Sequence, residues 1–312
     1  MRCLSVLLCA ALAAPAVCAA PVVTAPLADH HQYVYSPAAA AYMSSATTLL
    51  RPVSAQDLIP QLDAAGIERA ALLSVAHVYG QLLRSQREEY ARVRAENDWA
   101  ARQAAEFPER LVALCSVDPL KEYALAELAR CAASPGFGRG IKLQPAAGGV
   151  QLDDPQQVER LARVFRAANA RGMAIVLQLG RTGAREARLL VDRLLAQAPD
   201  VPVQVAYSGR DEAALQLAAL AVLADAAARH DPRMRQVWID ATSLARPGLS
   251  AADARRLMRR LRQVGMERVL YGSDAAVGVD VRPRDAWASF RSLPLTEAEA
   301  ARVAGNVMSY LR

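Results

Sequence analysis

The chain has 312 residues, of which 53% are hydrophobic and 22% are charged. This composition excludes a disordered protein and is sufficient for one large α/β core or two ordinary domains. The formal net charge is +6, but the basic residues are scattered through helical segments beside acidic ones, and no nucleic-acid-binding motif accompanies them. We therefore interpret the charge as a solvated helix surface and expect no nucleic-acid partner.

The first 19 residues are typical of a secretory signal peptide. Arg2 precedes an apolar run at positions 4–17, and small residues follow it around Cys18. This run is too short to span a membrane, and no later segment has the roughly 18 consecutive apolar residues that a span requires. We predict export to the periplasm or the medium, a mature chain of residues 20–312 and no membrane insertion. A misassigned start codon is the alternative.

Three of the five cysteines, Cys3, Cys9 and Cys18, lie in or beside that segment. Cys115 and Cys131 are then the two that remain in the mature chain, and two cysteines make no disulfide framework. Cys115 lies in an apolar strand-like run and Cys131 in a helical pattern, so we interpret both as buried thiols. An oxidising compartment would permit a bond between them where the geometry allows it.

Strand-like apolar runs alternate with amphipathic helical patterns along the rest of the chain. The eight runs cover residues 27–35, 69–77, 110–117, 140–145, 173–179, 201–207, 236–241 and 268–273. Ser54 and Asp57 form a candidate capping box between two of them, and Gly66 follows a helix end. Eight such units predict a single-domain (β/α)8 TIM barrel. A doubly wound sheet is the alternative, but no glycine-rich phosphate fingerprint follows the first strand.

The first run contains Asp-His-His-Gln-Tyr at positions 29–33. On a β-strand residues i and i+2 share a face, so His31 and Tyr33 point one way, whereas His30 and Gln32 point the other way. A second histidine at position 33 would make His-x-His, a strong metal-binding signal. Because the residue there is tyrosine, only one histidine of this strand faces the predicted site.

Polar residues close most of the predicted strands. The active site of a TIM barrel lies at these C-terminal strand ends, and buried polar groups are costly without a purpose, so we predict a site there. Taken singly, His77 is also compatible with a satisfied core histidine, and Asp118 and Asp274 with helix caps. The polar strand-end residues are His31, Tyr33, His77, Asp118, Lys142, Gln144, Gln178, Tyr207, Asp240 and Asp274.

Four segments follow the Asp-His-His-Gln opening in a characteristic order. They read Gly-Ile-Lys-Leu-Gln-Pro at 140–145, Ile-Val-Leu-Gln-Leu at 175–179, Val-Gln-Val-Ala-Tyr at 203–207 and Leu-Tyr-Gly-Ser-Asp at 270–274. With them the chain resembles the amidohydrolase-related family, which includes aminocarboxymuconate-semialdehyde decarboxylase and related barrel hydrolases. Supporting segments at 62–67, 107–112 and 304–306 extend the likeness from about Leu27 to the C-terminus.

The resemblance implies a mononuclear site for a divalent metal such as zinc. It implies His-x-His on strand one, histidines closing strands five and six, and an aspartate closing strand eight. His31 and Asp274 match, whereas Tyr33, Gln178 and Tyr207 do not. A glutamine carbonyl, or a phenol with a pKa of about 10, replaces imidazole poorly as a metal ligand at neutral pH. We therefore expect no resident metal cofactor, with His31 and Asp274 as the residual ligand candidates.

Strand four carries a further substitution, because Gln144 stands where the resemblance implies a histidine. Three hypotheses remain open: a metal-independent hydrolase or lactonase acting on a small carboxylate-bearing substrate, a non-catalytic small-molecule-binding pseudoenzyme, and a metal-dependent hydrolase or decarboxylase with unusual ligands. A homo-oligomer is compatible with each. The candidate catalytic residues are Asp274, His31, Tyr207 and Lys142, and the candidate substrate-binding residues are Tyr33, His77, Gln144, Gln178, Arg181 and Asp240.

Overall fold

The computed structural model describes residues 25–80, 88–180, 182–207, 213–241, 244–245, 248–275 and 282–312. The predicted signal segment and Arg181 lie outside these ranges, so the predictions made for them are not addressed by the structure. The described ranges include the part of the chain that carries the family resemblance, from about Leu27 onward, apart from the short gaps between them.

Eight parallel strands form one sheet in sequence order. The chain after the last strand also pairs with the first strand, since the His30 amide donates to the Tyr271 carbonyl at 3.0 Å and a parallel bridge joins Gln32 to Ala275. The sheet is therefore a nearly closed barrel, as predicted. The strands are β1 Ala28–Gln32, β2 Arg69–Leu73, β3 Leu111–Ser116, β4 Gly140–Leu143, β5 Ala174–Leu179, β6 Val203–Tyr207, β7 Val237–Asp240 and β8 Val269–Leu270.

Helices connect the strands, and the local signals that predicted their ends are present. Ser54 and Asp57 form the capping box, and Gly66 ends the same helix with a left-handed φ of 69°. No helix within the described ranges is long and apolar enough to cross a membrane. The helices are α1 Pro37–Met43, α2 Ala55–Ala65, α3 Glu89–Ala105, α4 Ala124–Ala133, α5 Pro155–Asn169, α6 Gly183–Leu189, α7 Ala213–Ala228, α8 Ala251–Val264, α9 Pro283–Arg291 and α10 Glu297–Gly305.

The main apolar core lies between the barrel and the surrounding helices. Helix α5 shows why: Val158, Leu161, Phe165 and Ala168 follow the three- and four-residue spacing of one helix face, and all four are buried. The barrel strands that such helices cover are buried on both faces, and β5 is buried along its whole length. Burial on both faces explains why the strand sequences are continuous apolar runs instead of alternating patterns.

Every strand is shorter than the sequence run that predicted it, and β1, β2 and β8 differ the most. Strand β2 ends at Leu73, so His77 lies in a 3₁₀ turn at Ala76–Gly80 instead of on the strand. Strand β1 ends at Gln32 after a register shift, and β8 has two residues. Apolar residues continue into the loops at the barrel mouth because these loops are also buried. The length of an apolar run therefore overestimates the length of the strand that pairs with its neighbours.

The interpretation of Cys115 and Cys131 as separate buried thiols was wrong. A disulfide joins them, and their Cα atoms are 6.2 Å apart, within the range that such bonds require. The bond ties α4 to β3. The packing of this helix on this strand brings the two side chains together, which the sequence spacing alone did not reveal.

Candidate active site

His31 is the best-defined side chain at the C-terminal end of the barrel. Its Nδ1 lies 2.7 Å from Oδ2 of Asp240, the last residue of β7. Burial lowers the pKa of His31 to about 4, so the ring is neutral at pH 7. A carboxylate accepts hydrogen bonds, so we assign the proton to Nδ1, which leaves the Nε2 lone pair directed into the site.

The sequence of β8 and its following loop provides the space for Asp240. A Cβ atom on Gly272 would lie 2.6 Å from both carboxylate oxygens of Asp240, so any larger residue at position 272 would displace that carboxylate. Gln204 of β6 donates to Asp240 at 3.4 Å, and the Tyr310 hydroxyl donates to the Gln204 carbonyl. The partner of His31 is thus positioned by residues from three other parts of the chain.

Tyr33 lies at the centre of the cluster. Its hydroxyl is 2.7 Å from Nε2 of His31, 2.7 Å from Nζ of Lys142 and 3.3 Å from Oε1 of Gln178. The Lys142 amine donates to the phenol oxygen, and the phenol proton is donated to His31, the nearer of its two acceptors. Burial raises the pKa of Tyr33 well above its usual value, so the hydroxyl keeps its proton.

Lys142, near the end of β4, is only 1% exposed. Its amine lies 4.3 Å from the centroid of the Tyr33 ring, which adds a cation–π contact when the amine is charged. Burial lowers the pKa of Lys142 to about 7, although the nearby Asp274 carboxylate opposes this shift. At neutral pH the site therefore contains both the ammonium and the free amine.

Asp274 is the most accessible member of the cluster. Its side chain is 17% exposed, compared with 1% for His31, and its Oδ1 lies 3.5 Å from His31 Nε2. Its backbone adopts a left-handed φ of 50°, a conformation that aspartate tolerates better than most residues. The Asp274 amide donates to the His31 carbonyl at 3.1 Å. The cap of the next helix, α9, is Arg282, so Asp274 is not its helix cap.

His77 and Gln144 form a smaller network of their own. The Ser116 hydroxyl lies 2.9 Å from His77 Nδ1, and Gln144 Oε1 lies 2.8 Å from Nε2. Burial, followed by the effect of the Lys142 charge, lowers the pKa of His77 to about 3. His77 is thus neutral, and both of its ring nitrogens have hydrogen-bond partners. This agrees with the interpretation of His77 as a core histidine, which the sequence left open beside a role in the site.

Asp118 lies in a turn beyond β3. Its Oδ1 accepts from the Leu120 amide at 2.9 Å, so it stabilises this turn and does not cap α4, which begins after Tyr123. Within the described residues its buried Oδ2 has no hydrogen-bond partner, and burial raises its pKa to about 6. Within the described residues, no hydrogen bond or ion pair joins Asp118 to the cluster around Tyr33.

Tyr207 is brought to the end of β6 but not into the hydrogen-bonded cluster. It is 1% exposed, and its hydroxyl finds no hydrogen-bond partner in the part of the chain that the structure describes. Burial, with a smaller effect of Asp240, raises its pKa. The structure therefore unites His31, Tyr33, Lys142, Gln178, Asp240 and Asp274, and it leaves Tyr207, His77, Gln144 and Asp118 outside their hydrogen bonds.

Sequence reasoning did not identify the residues that hold β1 in place. Asp29 accepts from the amides of His31 at 3.0 Å and Ser273 at 2.9 Å, and from the Gln32 side chain at 2.7 Å. Burial raises the pKa of Asp29 to about 6. His30 contacts the Tyr271 carbonyl at 2.7 Å through Nδ1. The sequence signal that could have identified these residues is the presence of charged and amide side chains inside the first apolar run, at positions 27–35.

The donor set around His31 is small. Among the described residues only Cys115, Glu127 and Cys131 bring three potential His, Cys, Asp or Glu ligand atoms within 4.8 Å of one another, and the two cysteines are bonded to each other. At the barrel mouth, Asp240 contacts Nδ1 of His31 and Asp274 lies near Nε2. The Tyr33 phenol also contacts that nitrogen, and the Gln178 amide and the Lys142 amine lie around the phenol oxygen.

Comparison with solved structures supports the fold. The chain is similar to a 2,6-dihydroxybenzoate decarboxylase from Rhizobium, with a TM-score of 0.63, 16% identity and coverage of 90% of this chain and 96% of that chain. It is also similar to a protein from Acinetobacter baumannii that is described as a probable 2-pyrone-4,6-dicarboxylic acid hydrolase with citric acid bound. The TM-score is 0.60 and the sequence identity 16%, with coverage of 89% of this chain and 95% of that chain. A third similar structure is an amidohydrolase from Burkholderia multivorans with bound zinc. Its TM-score is 0.57 and its sequence identity 18%, with coverage of 90% of this chain and 96% of that chain.

At these identities the structural likeness shows the fold alone. A comparison with curated proteins found no match. The sequence model of the amidohydrolase family, in contrast, matches residues 28–306, which is nearly the whole barrel and confirms the family resemblance of the strand-end segments. The chain therefore belongs to the amidohydrolase family.

Proposed function

We propose that the protein is a metal-independent hydrolase of the lactonase type that acts on a small carboxylate-bearing substrate. The observation that supports this most is the chain of hydrogen bonds from Asp240 through His31 and Tyr33 to Lys142, with Asp274 beside His31. This chain brings an accessible carboxylate and a positioned amine to one end of the barrel, and these are the groups that ester hydrolysis without a metal needs.

The named neighbours support the reaction class and the kind of substrate. The Acinetobacter baumannii protein is described as a probable hydrolase of 2-pyrone-4,6-dicarboxylic acid, whose name denotes a cyclic ester with two carboxyl groups. The Rhizobium enzyme is a decarboxylase of 2,6-dihydroxybenzoate. Both names contain small carboxylates, and we propose the same class for this protein.

The residues around His31 do not fit a resident metal ion. Structural and catalytic zinc sites use three or four histidine, cysteine or carboxylate ligands. Here a protonated phenol lies next to the His31–Asp274 pair, and the Gln178 amide lies 3.3 Å from that phenol. The Lys142 ammonium, one hydrogen bond from the same phenol, would repel a divalent cation. We therefore propose that the metal site is degenerate and that Lys142 provides the positive charge.

In this mechanism Asp274 is the general base. It removes a proton from a water molecule, whose oxygen attacks the ester carbonyl carbon, while the Lys142 ammonium donates a hydrogen bond to the carbonyl oxygen and stabilises the negative charge that develops there. When the intermediate collapses, the carbon–oxygen bond to the alcohol breaks, and the departing oxygen takes the proton from Asp274. The net reaction is ester plus water giving acid plus alcohol.

His31, Tyr33 and Asp240 are positioning residues in this proposal. Asp240 holds the His31 proton on Nδ1, His31 accepts the phenol proton, and the Tyr33 oxygen is thereby free to accept from Lys142. Tyr207 as a further catalytic residue, and Arg181 as a carboxylate-binding residue, remain part of the proposal on sequence grounds.

We also propose that residues 1–19 direct export, so that the enzyme acts in the periplasm or outside the cell. This part of the proposal rests on the early charge, the apolar run and the small residues of the N-terminus. Mass spectrometry of the protein recovered from cell fractions tests it, because an uncleaved N-terminus in the cytosolic fraction would contradict export.

The decisive experiment uses full-length protein purified without added metal. Its metal content is measured, and its turnover of lactones and esters bearing a carboxylate is assayed with and without a chelator. We expect turnover that the chelator does not change and that Asp274→Asn reduces by about a hundredfold or more, whereas the exposed carboxylate variant Asp285→Asn is a matched control with full activity. Loss of activity with the chelator would instead support a metal-dependent enzyme, and binding without turnover would support a pseudoenzyme.

A further inference from the structure

The chain places a lysine in the barrel although it uses arginine almost everywhere else. Of its 37 lysines and arginines only Lys121 and Lys142 are lysines. Lys121 pairs with the Glu89 carboxylate at 3.1 Å, and its side chain is 23% exposed. Lys142 is 1% exposed. A guanidinium stays charged in proteins, whereas an amine can lose its proton and react, so the residue type matches a chemical role.

The surroundings of Lys142 favour the free amine. No carboxylate of the described residues lies within 4.0 Å of it, and its one hydrogen bond in these ranges goes to the uncharged Tyr33 hydroxyl at 2.7 Å. A buried ammonium without an ion-pair partner is unfavourable. The lowered pKa, about 7, agrees with this geometry. A desolvated lysine with these properties is a competent nucleophile at neutral pH.

We propose that Lys142 forms an imine with small aldehydes and ketones that carry a carboxylate. The inference rests on the metal-free site of the proposed function, but its chemistry is separate, since it needs the neutral amine whereas ester hydrolysis needs the ammonium. It assigns to Lys142 a covalent bond with the ligand, a role that none of the sequence features of the family predicted for this position.

Tyr33 provides the proton transfer that this reaction requires. The nitrogen lone pair of Lys142 forms a bond to the carbonyl carbon, and the carbonyl π electrons move to oxygen, which takes a first proton from the positively charged nitrogen to give a carbinolamine. The nitrogen then releases its second proton through the Tyr33 hydroxyl to the departing oxygen, the carbon–oxygen bond breaks, the nitrogen–carbon double bond forms and water leaves. The net reaction is amine plus carbonyl giving imine plus water, with no oxidant, reductant or metal.

The test is reductive trapping on the full-length protein. Wild-type protein is incubated with glyoxylate or acetoacetate, reduced with borohydride, digested with trypsin and analysed by mass spectrometry. A modified Lys142 blocks cleavage and leaves a peptide from Gly140 to Arg160. We expect Lys142 to be modified at least about tenfold faster than Lys121 at neutral pH, because burial without an ion-pair partner favours the free amine of Lys142, whereas Lys121 is paired with Glu89. In urea the two lysines should react equally.

Two variants separate this inference from the proposed function. Lys142→Arg keeps a cation, so it should retain part of the ester hydrolysis while trapping at position 142 disappears. Tyr33→Phe keeps the ring but removes the proton relay, so trapping should slow. Equal labelling of both lysines in the folded protein, or labelling of Lys142 in urea only, would overturn the inference. Trapping in a protein that hydrolyses no ester would leave it standing and reject the proposed function.

Discussion

The Asp240 carboxylate accepts a hydrogen bond from Nδ1 of His31 at 2.7 Å, although 209 positions of sequence separate the two residues. Strands β1 and β7 meet here through the closure of the barrel, with β8 between them. The bond fixes which imidazole nitrogen carries the proton, and it thereby orients the Tyr33 hydroxyl that holds Lys142. The chemistry of the site depends on this pair before any substrate is bound.

Replacing Asp240 by Asn should therefore lower kcat for ester hydrolysis at least about tenfold with little change in KM, because a neutral amide no longer holds the His31 proton on Nδ1. The kinetic constants and the imidazole nitrogen shifts in NMR spectra check this. Asp118→Asn, which changes another buried strand-end carboxylate, is the control with near-normal kinetics. An Asp240 variant with normal kcat and an unchanged tautomer would contradict the positioning role.

The stability of the protein should depend on the charge of Lys142. Its pKa is about 7 in the folded protein and 10.5 in the reference state, so between these values the unfolded chain binds a proton that the folded chain does not. The free energy of unfolding therefore rises with pH in this window, by at most about 2–3 kcal/mol between pH 7 and 9. Below pH 7 both states are protonated and the destabilisation is complete.

Urea denaturation at pH 7 and pH 9 measures this change in the free energy of unfolding. The Lys142→Met variant should lack the rise with pH that the wild type shows, whereas the control variant Lys121→Met should keep it. The groups that face Lys142 do not obscure the result, since burial keeps His31, His77 and Tyr33 neutral across this range. Asp274 opposes the shift but does not reverse it. Equal slopes in wild type and Lys142→Met would show that Lys142 stays charged.

Restoring the missing histidines should restore metal binding. Tyr33 lies beside Nε2 of His31, and Gln178 lies beside the Tyr33 hydroxyl, so the variant Tyr33→His/Gln178→His places two more imidazoles near His31 and Asp274. As expressed, the wild type should contain well under one equivalent of zinc, manganese or iron, and the variant close to one. Elemental analysis of both proteins decides. Stoichiometric metal in the wild type would refute the degenerate site, and adding Tyr207→His shows whether that position also faces the metal.

The Cys115–Cys131 disulfide should stabilise the mature protein. The bonded residues are 16 positions apart, and a loop of that size corresponds to about 3 kcal/mol in the chain-entropy estimate. Dithiothreitol should lower the free energy of unfolding of the wild type by up to that amount and leave Cys115→Ala/Cys131→Ala unchanged. Titration of denatured, unreduced protein comprising residues 20–312 should find no free thiol, and two free thiols there would mean that the bond does not form.

The sequence by itself determined the barrel and where its site would lie. Eight apolar runs separated by capped helices leave parallel strands as the economical solution, because a strand that is apolar on both faces needs helices to cover it. The alternation of side chains correctly put His31 and Tyr33 on one side and His30 on the other, since His31 contacts Tyr33 and His30 contacts the Tyr271 carbonyl, although Tyr33 lies just past the end of β1. These inferences succeeded because they depend on local spacing, which the chain shows directly.

The tertiary structure decided the contacts between strands. That Asp240 holds His31, that Lys142 meets Tyr33 instead of a carboxylate, and that Cys115 meets Cys131 depend on register, on helix packing and on small residues such as Gly272 that leave room for a neighbour. The protonation of Lys142 also follows from burial and missing ion pairs, which residue identity does not encode. Hydrogen bonds act over about 3 Å, so only the folded chain could reveal which polar side chains share them.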